Sequence, residues 1–197
     1  AARRGGGRRA GPAPRRAGPG AGVVGVGSYF RGDDAVGFEV VEALRSRRLP
    51  PGVELKAVAG GGVDAAESVR GFDLAVVVDG SATGARAGTV RFWEGAALER
   101  LEGGGGGLRS THGVGLLQAL AAARRLEPGS LPRRLVVVGV EVGDVGLGRK
   151  PLTPEVARAV PRAASLVLRL LRGGVPPRPG RKAGPGGARP QTSGREG

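Results

Sequence analysis

Three short, unbroken apolar runs punctuate the chain: Gly22 to Gly27, Leu74 to Val78 and Leu135 to Val140. Runs of this length without polar alternation suit strands covered on both faces, as in a parallel sheet. Val53 to Val58 instead alternates apolar with polar residues, the pattern of a half-exposed strand. Between the runs the period lengthens to that of helices. Val36, Val40, Val41 and Leu44 fall on one helical face, and Pro50-Pro51 closes that pattern after Leu49. Ala65 to Arg70 reads as a short helix, and Leu116, Leu117, Leu120 and Ala121 mark another that runs to Leu126. The last helix opens with Thr153 as N-cap and Pro154 in its first turn, and carries Val156, Val160, Ala164, Val167 and Leu171 on one face. Pro161 is expected to kink it or reset its start.

Val90 to Trp93 follows Asp79 by only about ten residues, with Gly84 and Gly88 between, whereas a parallel crossover needs about a dozen. This strand should therefore run antiparallel, and its alternation suits a sheet edge. The sum is five strands alternating with four or five helices. That pattern predicts an α/β fold, a three-layer α/β/α domain on a mostly parallel sheet. Right-handed crossovers set the first three strands in the order 2-1-3.

With 197 residues, 40% of them apolar, the chain can bury one sizeable core. It has no cysteine, which excludes disulfides, thiolate metal sites and a cysteine nucleophile. No apolar run approaches the roughly 18 residues of a membrane span, so a soluble protein without membrane association is expected; the cytoplasm is its expected location. The net charge of +14 changes meaning once it is partitioned. Residues 1–21 hold six Arg and no acid, and residues 173–197 hold five Arg or Lys against Glu196. Both stretches are rich in Gly, Pro, Ala and Arg and are expected to be disordered tails around a folded domain at 22–172. The arginine pairs of the first tail suggest an export signal, but no apolar h-region follows them. Specific nucleic-acid binding is not expected from the domain, because few aromatics are available for stacking. Charge-driven association through the tails is kept as a third reading of the function.

Chemistry concentrates at Gly25-Val26-Gly27-Ser28-Tyr29-Phe30-Arg31-Gly32-Asp33-Asp34-Ala35-Val36-Gly37, where a strand turns into a helix. A dinucleotide fingerprint fails here: Phe30 stands where the third glycine belongs, and two acids would meet a pyrophosphate. Acids at a helix start are ordinarily caps or first-turn residues worth roughly 0.3 to 2 kcal/mol. One of Asp33 and Asp34 should do that work and leave the other for function. Asp79 ends a buried strand, where the ordinary role is a hydrogen bond to a neighbouring loop. His112, the only histidine, precedes a helix in Ser110-Thr111-His112-Gly113, a usual place for a cap or a solvated side chain. The 2-1-3 order makes Asp34 and Asp79 face one crevice. Glu141 and Asp144 stand at the same rim, in what should be a solvated loop. Two carboxylates and an imidazole suit a transition ion such as Zn²⁺ or Ni²⁺ better than Ca²⁺ or Mg²⁺, which prefer oxygen alone. Neither a G-x-S-x-G nor an H-E-x-x-H motif occurs.

These residues resemble the hydrogenase maturation endopeptidases, which trim the C-terminal extension from the large subunit of nickel-iron hydrogenases. The stretch from Gly25 to Gly37 is similar to the family's opening G-x-G-N-x-x-x-x-D-[DE]-x-x-G, with Ser28 where Asn is usual. Val76-Val77-Val78-Asp79 resembles its strand ending in Asp, Ser110-Thr111-His112-Gly113-Val114-Gly115-Leu116 its S-x-H-x-x-G-L, and Val138-Gly139-Val140-Glu141 its last strand. Gly60-Gly61-Gly62-Val63-Asp64 loosely matches a Gly-Gly-Thr loop near the family's site.

The resemblance implies a five-stranded mixed sheet in the order 2-1-3-5-4, with strand four antiparallel. It carries the family's three metal ligands onto Asp34, Asp79 and His112, and assigns no catalytic residue. It further implies a hydrogenase large-subunit precursor as partner. Nickel would be recognised in that substrate with no cofactor of the enzyme's own, and Zn²⁺ or Cd²⁺ would bind in vitro. The expected function is thus an endopeptidase acting after nickel insertion, and the alternative is a non-catalytic metal-sensing module for a metalloprotein partner.

Overall fold

The computed structural model describes residues 20–103, 115–148 and 151–173. The strands are β1 (Ala21–Val26), β2 (Val53–Val58), β3 (Leu74–Ser81), β4 (Val90–Glu94) and β5 (Arg134–Glu141). The helices are α1 (Val36–Arg45), α2 (Gly62–Ser68), α3 (Gly95–Glu102), α4 (Leu116–Leu126) and α5 (Pro154–Arg172), with a 3-10 turn at Gly32–Ala35 ahead of α1. His112 and nearly all of the two basic tails lie outside the described residues.

The strands form one mixed sheet in the order β2-β1-β3-β5-β4. β1 is parallel to both β2 and β3, β3 is parallel to β5, and β4 alone runs antiparallel, with Val90 opposite Val140. The apolar runs explain why β1, β3 and β5 are central: β3 is buried along its whole length, between helices on both sides. On one face Val23, Val76, Val78, Val136, Val138 and Val140 pack with α1 and α5. On the other, Val24, Val26, Ala75, Val77, Leu135 and Val137 meet Ala65, Leu98, Leu116 and Leu120 of α2, α3 and α4.

Close backbone approach sets the geometry at the start of α1. A Cβ built on Gly37 would lie 2.1 Å from the Val26 carbonyl oxygen and 2.6 Å from that of Val78, and one on Gly25 would lie 2.2 Å from the Gly37 carbonyl oxygen. Only glycine lets the first turn of α1 settle onto β1 and β3. The glycines of this strand-to-helix turn are therefore packing devices, and they let the Asp33-Asp34 pair settle at the sheet edge.

Three details differ from the sequence expectations. β3 continues past Asp79 to Ser81, where it still pairs with β5. Helix α3, which the apolar pattern did not single out, starts one residue after β4 and buries only Leu98. Helix α5 is continuous through Pro161, because Val156, Ala159, Ala163, Ala164 and Val167 bury one face against the core while the proline is exposed. Its start is not reset there.

Candidate active site

The connection from β1 to α1 folds back on itself at the carboxyl edge of the sheet. The Arg31 N–H donates to Ser28 O at 3.3 Å, the Asp34 N–H to Arg31 O at 3.1 Å, and the Ser28 N–H to Asp34 O at 3.3 Å. The Ser28 hydroxyl accepts the Phe30 N–H at 3.3 Å, a local bond that an Asn side chain at this position could equally make. Gly32 has φ +55°, and a Cβ there would stand 2.6 Å from Asp144 O, so the turn requires glycine twice over.

The adjacent acids have separate duties. Asp33 is fully buried. Its carboxylate accepts the N–H groups of Gly143 and Asp144 at 2.8 and 2.9 Å, and the N–H and hydroxyl of Thr153 at 2.6 and 2.9 Å. Its own N–H donates to Asp144 O at 2.8 Å. Asp33 is therefore a structural clamp that joins the 3-10 turn to the loop after β5 and the start of α5, rather than a cap on its own helix. Thr153 stands at the N-cap of α5 as expected, but no capping bond comes from its side chain, which serves Asp33 instead.

Asp34 is buried on the same 3-10 turn, which packs against β3. Asp79 is buried near the end of that strand, 4% exposed. Since Gly25 pairs with Val78 in the parallel register, the turn that carries Asp34 leaves β1 at the same end of the sheet at which Asp79 stands. Leu116 at the start of α4 lines a small void together with Asp79, Gly80 and Ser81. Among the described residues no group of three His, Asp or Glu side chains is placed to hold a metal ion. Asp34 and Asp79 are two of the three residues named from the sequence, and His112, the third, lies outside the described residues.

Glu141 was expected in a solvated loop and is instead buried, 4% exposed. Its Oε1 accepts the N–H groups of Thr83, Gly84 and Ala85 at 2.6, 2.8 and 3.1 Å, and its Oε2 accepts the hydroxyls of Ser81 and Thr83 at 3.1 and 2.9 Å. This carboxylate shapes the β3–β4 connection beside Asp79. The signal for it was present in the sequence: an acid ending an apolar strand, and a Ser81-Ala82-Thr83-Gly84 turn rich in donors. Asp144 is partly buried and accepts the Gly146 N–H at 2.7 Å, closing its own turn. The glycine loop at 60–64 leads into α2, where the Asp64 carboxylate reaches back to accept the Gly61 N–H at 3.1 Å.

A three-layer α/β/α sheet with two buried acids at the carboxyl ends of β1 and β3 defines a class of domain, and comparison with known proteins narrows it. The family model described as HycI, hydrogenase maturation protease, matches residues 38–170. The hydrogenase expression/formation protein HupD of Rhizobium leguminosarum bv. viciae is 28% identical over 162 residues, which cover 82% of this chain and 76% of HupD. Among solved structures, the hydrogenase maturating endopeptidase HybD from E. coli superposes with a TM-score of 0.62 at 27% identity, over 78% of this chain and 92% of that one. An endopeptidase from Escherichia coli, solved in solution, reaches 0.67 at 28% identity with the same coverage. The chain belongs to the hydrogenase maturation protease family, and it is a peptidase.

Proposed function

We propose that this protease removes the C-terminal extension of a nickel-iron hydrogenase large-subunit precursor after nickel insertion, acting in the cytoplasm. Asp34, Asp79 and His112 recognise the metal that the precursor carries. The observation that carries this reading is the division of labour between the paired acids. Asp33 takes the structural hydrogen bonds, and Asp34 shares the sheet edge with Asp79. His112 precedes Leu116, a lining residue of the void beside Asp79, by four positions, and four residues of chain span at most about 14 Å.

Two carboxylates and an imidazole leave positions open on a transition ion, so a metal seated in the precursor can complete its coordination with these groups. That contact would lock the two proteins in register and bring one peptide bond to the site. Positioning of this kind supplies several kcal/mol of a barrier. No metal of the enzyme's own is needed, and added Zn²⁺ or Cd²⁺ would occupy the same ligands in its place.

The test is cleavage of purified precursor prepared with and without nickel, followed by mass spectrometry of the released peptide. The proposal requires release from the nickel-loaded precursor and little from the other; equal rates on the two would overturn metal recognition.

A further inference from the structure

We infer that a basic cleft between the β3–β4 connection and the first turns of α5 anchors an acidic segment of the protein substrate. The inference rests on the reading that this protease processes a hydrogenase large-subunit precursor. The cleft measures about 540 Å³, and Arg86, Arg158, Arg162 and Glu155 supply its charged side chains. It opens at the same end of the sheet as Asp34 and Asp79, because Val90 at the start of β4 pairs with Val140, one residue before the end of β5.

Its walls are built. The Gly88 N–H donates to Glu141 O at 2.8 Å and the Glu141 N–H to Thr89 O at 2.8 Å, while the Thr89 hydroxyl donates to Arg86 O at 2.6 Å. A Cβ on Gly88 would lie 2.4 Å from Glu155 O, so this loop lies directly against α5. Glu155, Arg158 and Arg162 follow one another at helical spacings of three and four, on one face.

The charge is unbalanced. Glu155 pairs with Arg158 at 2.9 Å, whereas the Arg162 guanidinium donates to a neutral carbonyl, Gly88 O, at 2.8 Å. Among the described residues neither Arg86 nor Arg162 pairs with a carboxylate. The chain's own ends do not complement such a cleft, since residues 1–21 carry six Arg and no acid and residues 173–197 a single Glu. A second copy, at +14, is repelled as well. The backbone N–H groups of Gly88 and Thr89 are already used, by Glu141 O and Arg86 O. The wall therefore presents dispersed side-chain cations rather than a backbone nest for one phosphate. Dispersed cations suit carboxylates spread along a polypeptide.

The test uses the full chain and two fluorescein-labelled octapeptides, one alternating Glu with Gly and one alternating Gln with Gly, followed by anisotropy at low and moderate salt. Wild type should bind the acidic peptide in preference to its amide twin. Arg86→Glu with Arg158→Glu should weaken that binding about tenfold or more, while Arg100→Glu with Arg125→Glu, on the opposite helix layer, should change it less than about twofold. Arg86→Gln alone, at an exposed loop position, serves if the double variant does not fold. Equal weakening by both pairs, indifference to the peptide's charge, or full displacement by millimolar inorganic phosphate would overturn the proposal. On the precursor, the Arg86/Arg158 variant should raise KM with kcat unchanged, and an unchanged KM would also contradict it. If wild type cut no precursor, the processing reading would fail by itself, and the peptide anisotropy would still decide whether the cleft binds acidic chains.

Discussion

Asp33 holds Thr153 by two hydrogen bonds at once, from its backbone N–H at 2.6 Å and its hydroxyl at 2.9 Å, across 120 residues of chain. The contact pins the start of the last helix to the 3-10 turn that also carries Asp34. It also separates two adjacent acids that look equivalent in sequence.

Asp33→Asn should therefore act on stability. An amide group would face donors now served by a carboxylate, at a cost of about 2–4 kcal/mol. Asp34→Asn should cost less stability than Asp33→Asn and yet abolish processing. Urea denaturation alongside precursor cleavage checks the pair; the reverse pattern would exchange the roles assigned to the two residues.

Gly37→Ala should destabilise by about 3 kcal/mol or more, or prevent folding, because the new methyl meets two backbone carbonyls that cannot yield without moving α1 off the sheet. Gly61→Ala, where nothing lies within 4 Å, should stay within about 1 kcal/mol of wild type. Thermal melts of the two variants make the comparison.

Glu141→Gln removes the charge that gathers three backbone N–H groups of the β3–β4 connection. The expected result is a stability loss of about 2–4 kcal/mol and faster amide exchange at Thr83, Gly84 and Ala85. Exchange at wild-type rates would mean that the loop is held by other contacts.

Arg70 ties the end of α2 to Glu127 after α4, with Nη2 to Oε1 at 3.2 Å. The hydrogen bond from Arg70, and next its charge, hold the Glu127 carboxyl below its ordinary value of 4.5. A lowered folded-state pKa stabilises above the unfolded value and loses that contribution as pH falls through the folded one. The gap in stability between wild type and Glu127→Gln should be small, constant above about pH 5, and should close on acidification. Denaturation curves across that range read it directly.

The sheet was legible because Leu74 to Val78 and Leu135 to Val140 are short, rich in β-branched residues and without polar positions, which suits strands covered on both faces. The antiparallel β4 followed from a connection too short to cross over. Helix α3 was not legible: it follows β4 without a loop and has one buried side chain to mark its face. The burial of Glu141 was legible only in part: an acid closes an apolar strand, but its donors lie 56 to 60 positions earlier in the chain. Likewise the partners that distinguish Asp33 from Asp34, Gly143 and Thr153, stand 110 and 120 positions away, where no local pattern reaches. The motif thus located the turn, but only the tertiary contacts distinguish its two acids.

The central claim is that the acids on this sheet edge serve the cut in the precursor. Intact mass of a nickel-loaded large-subunit precursor, taken before and after incubation with wild type and with Asp79→Asn, tests it most directly. The account predicts loss of a C-terminal peptide with wild type and an unchanged mass with an Asp79→Asn protein that melts as wild type does. Processing by Asp79→Asn at the wild-type rate would contradict it.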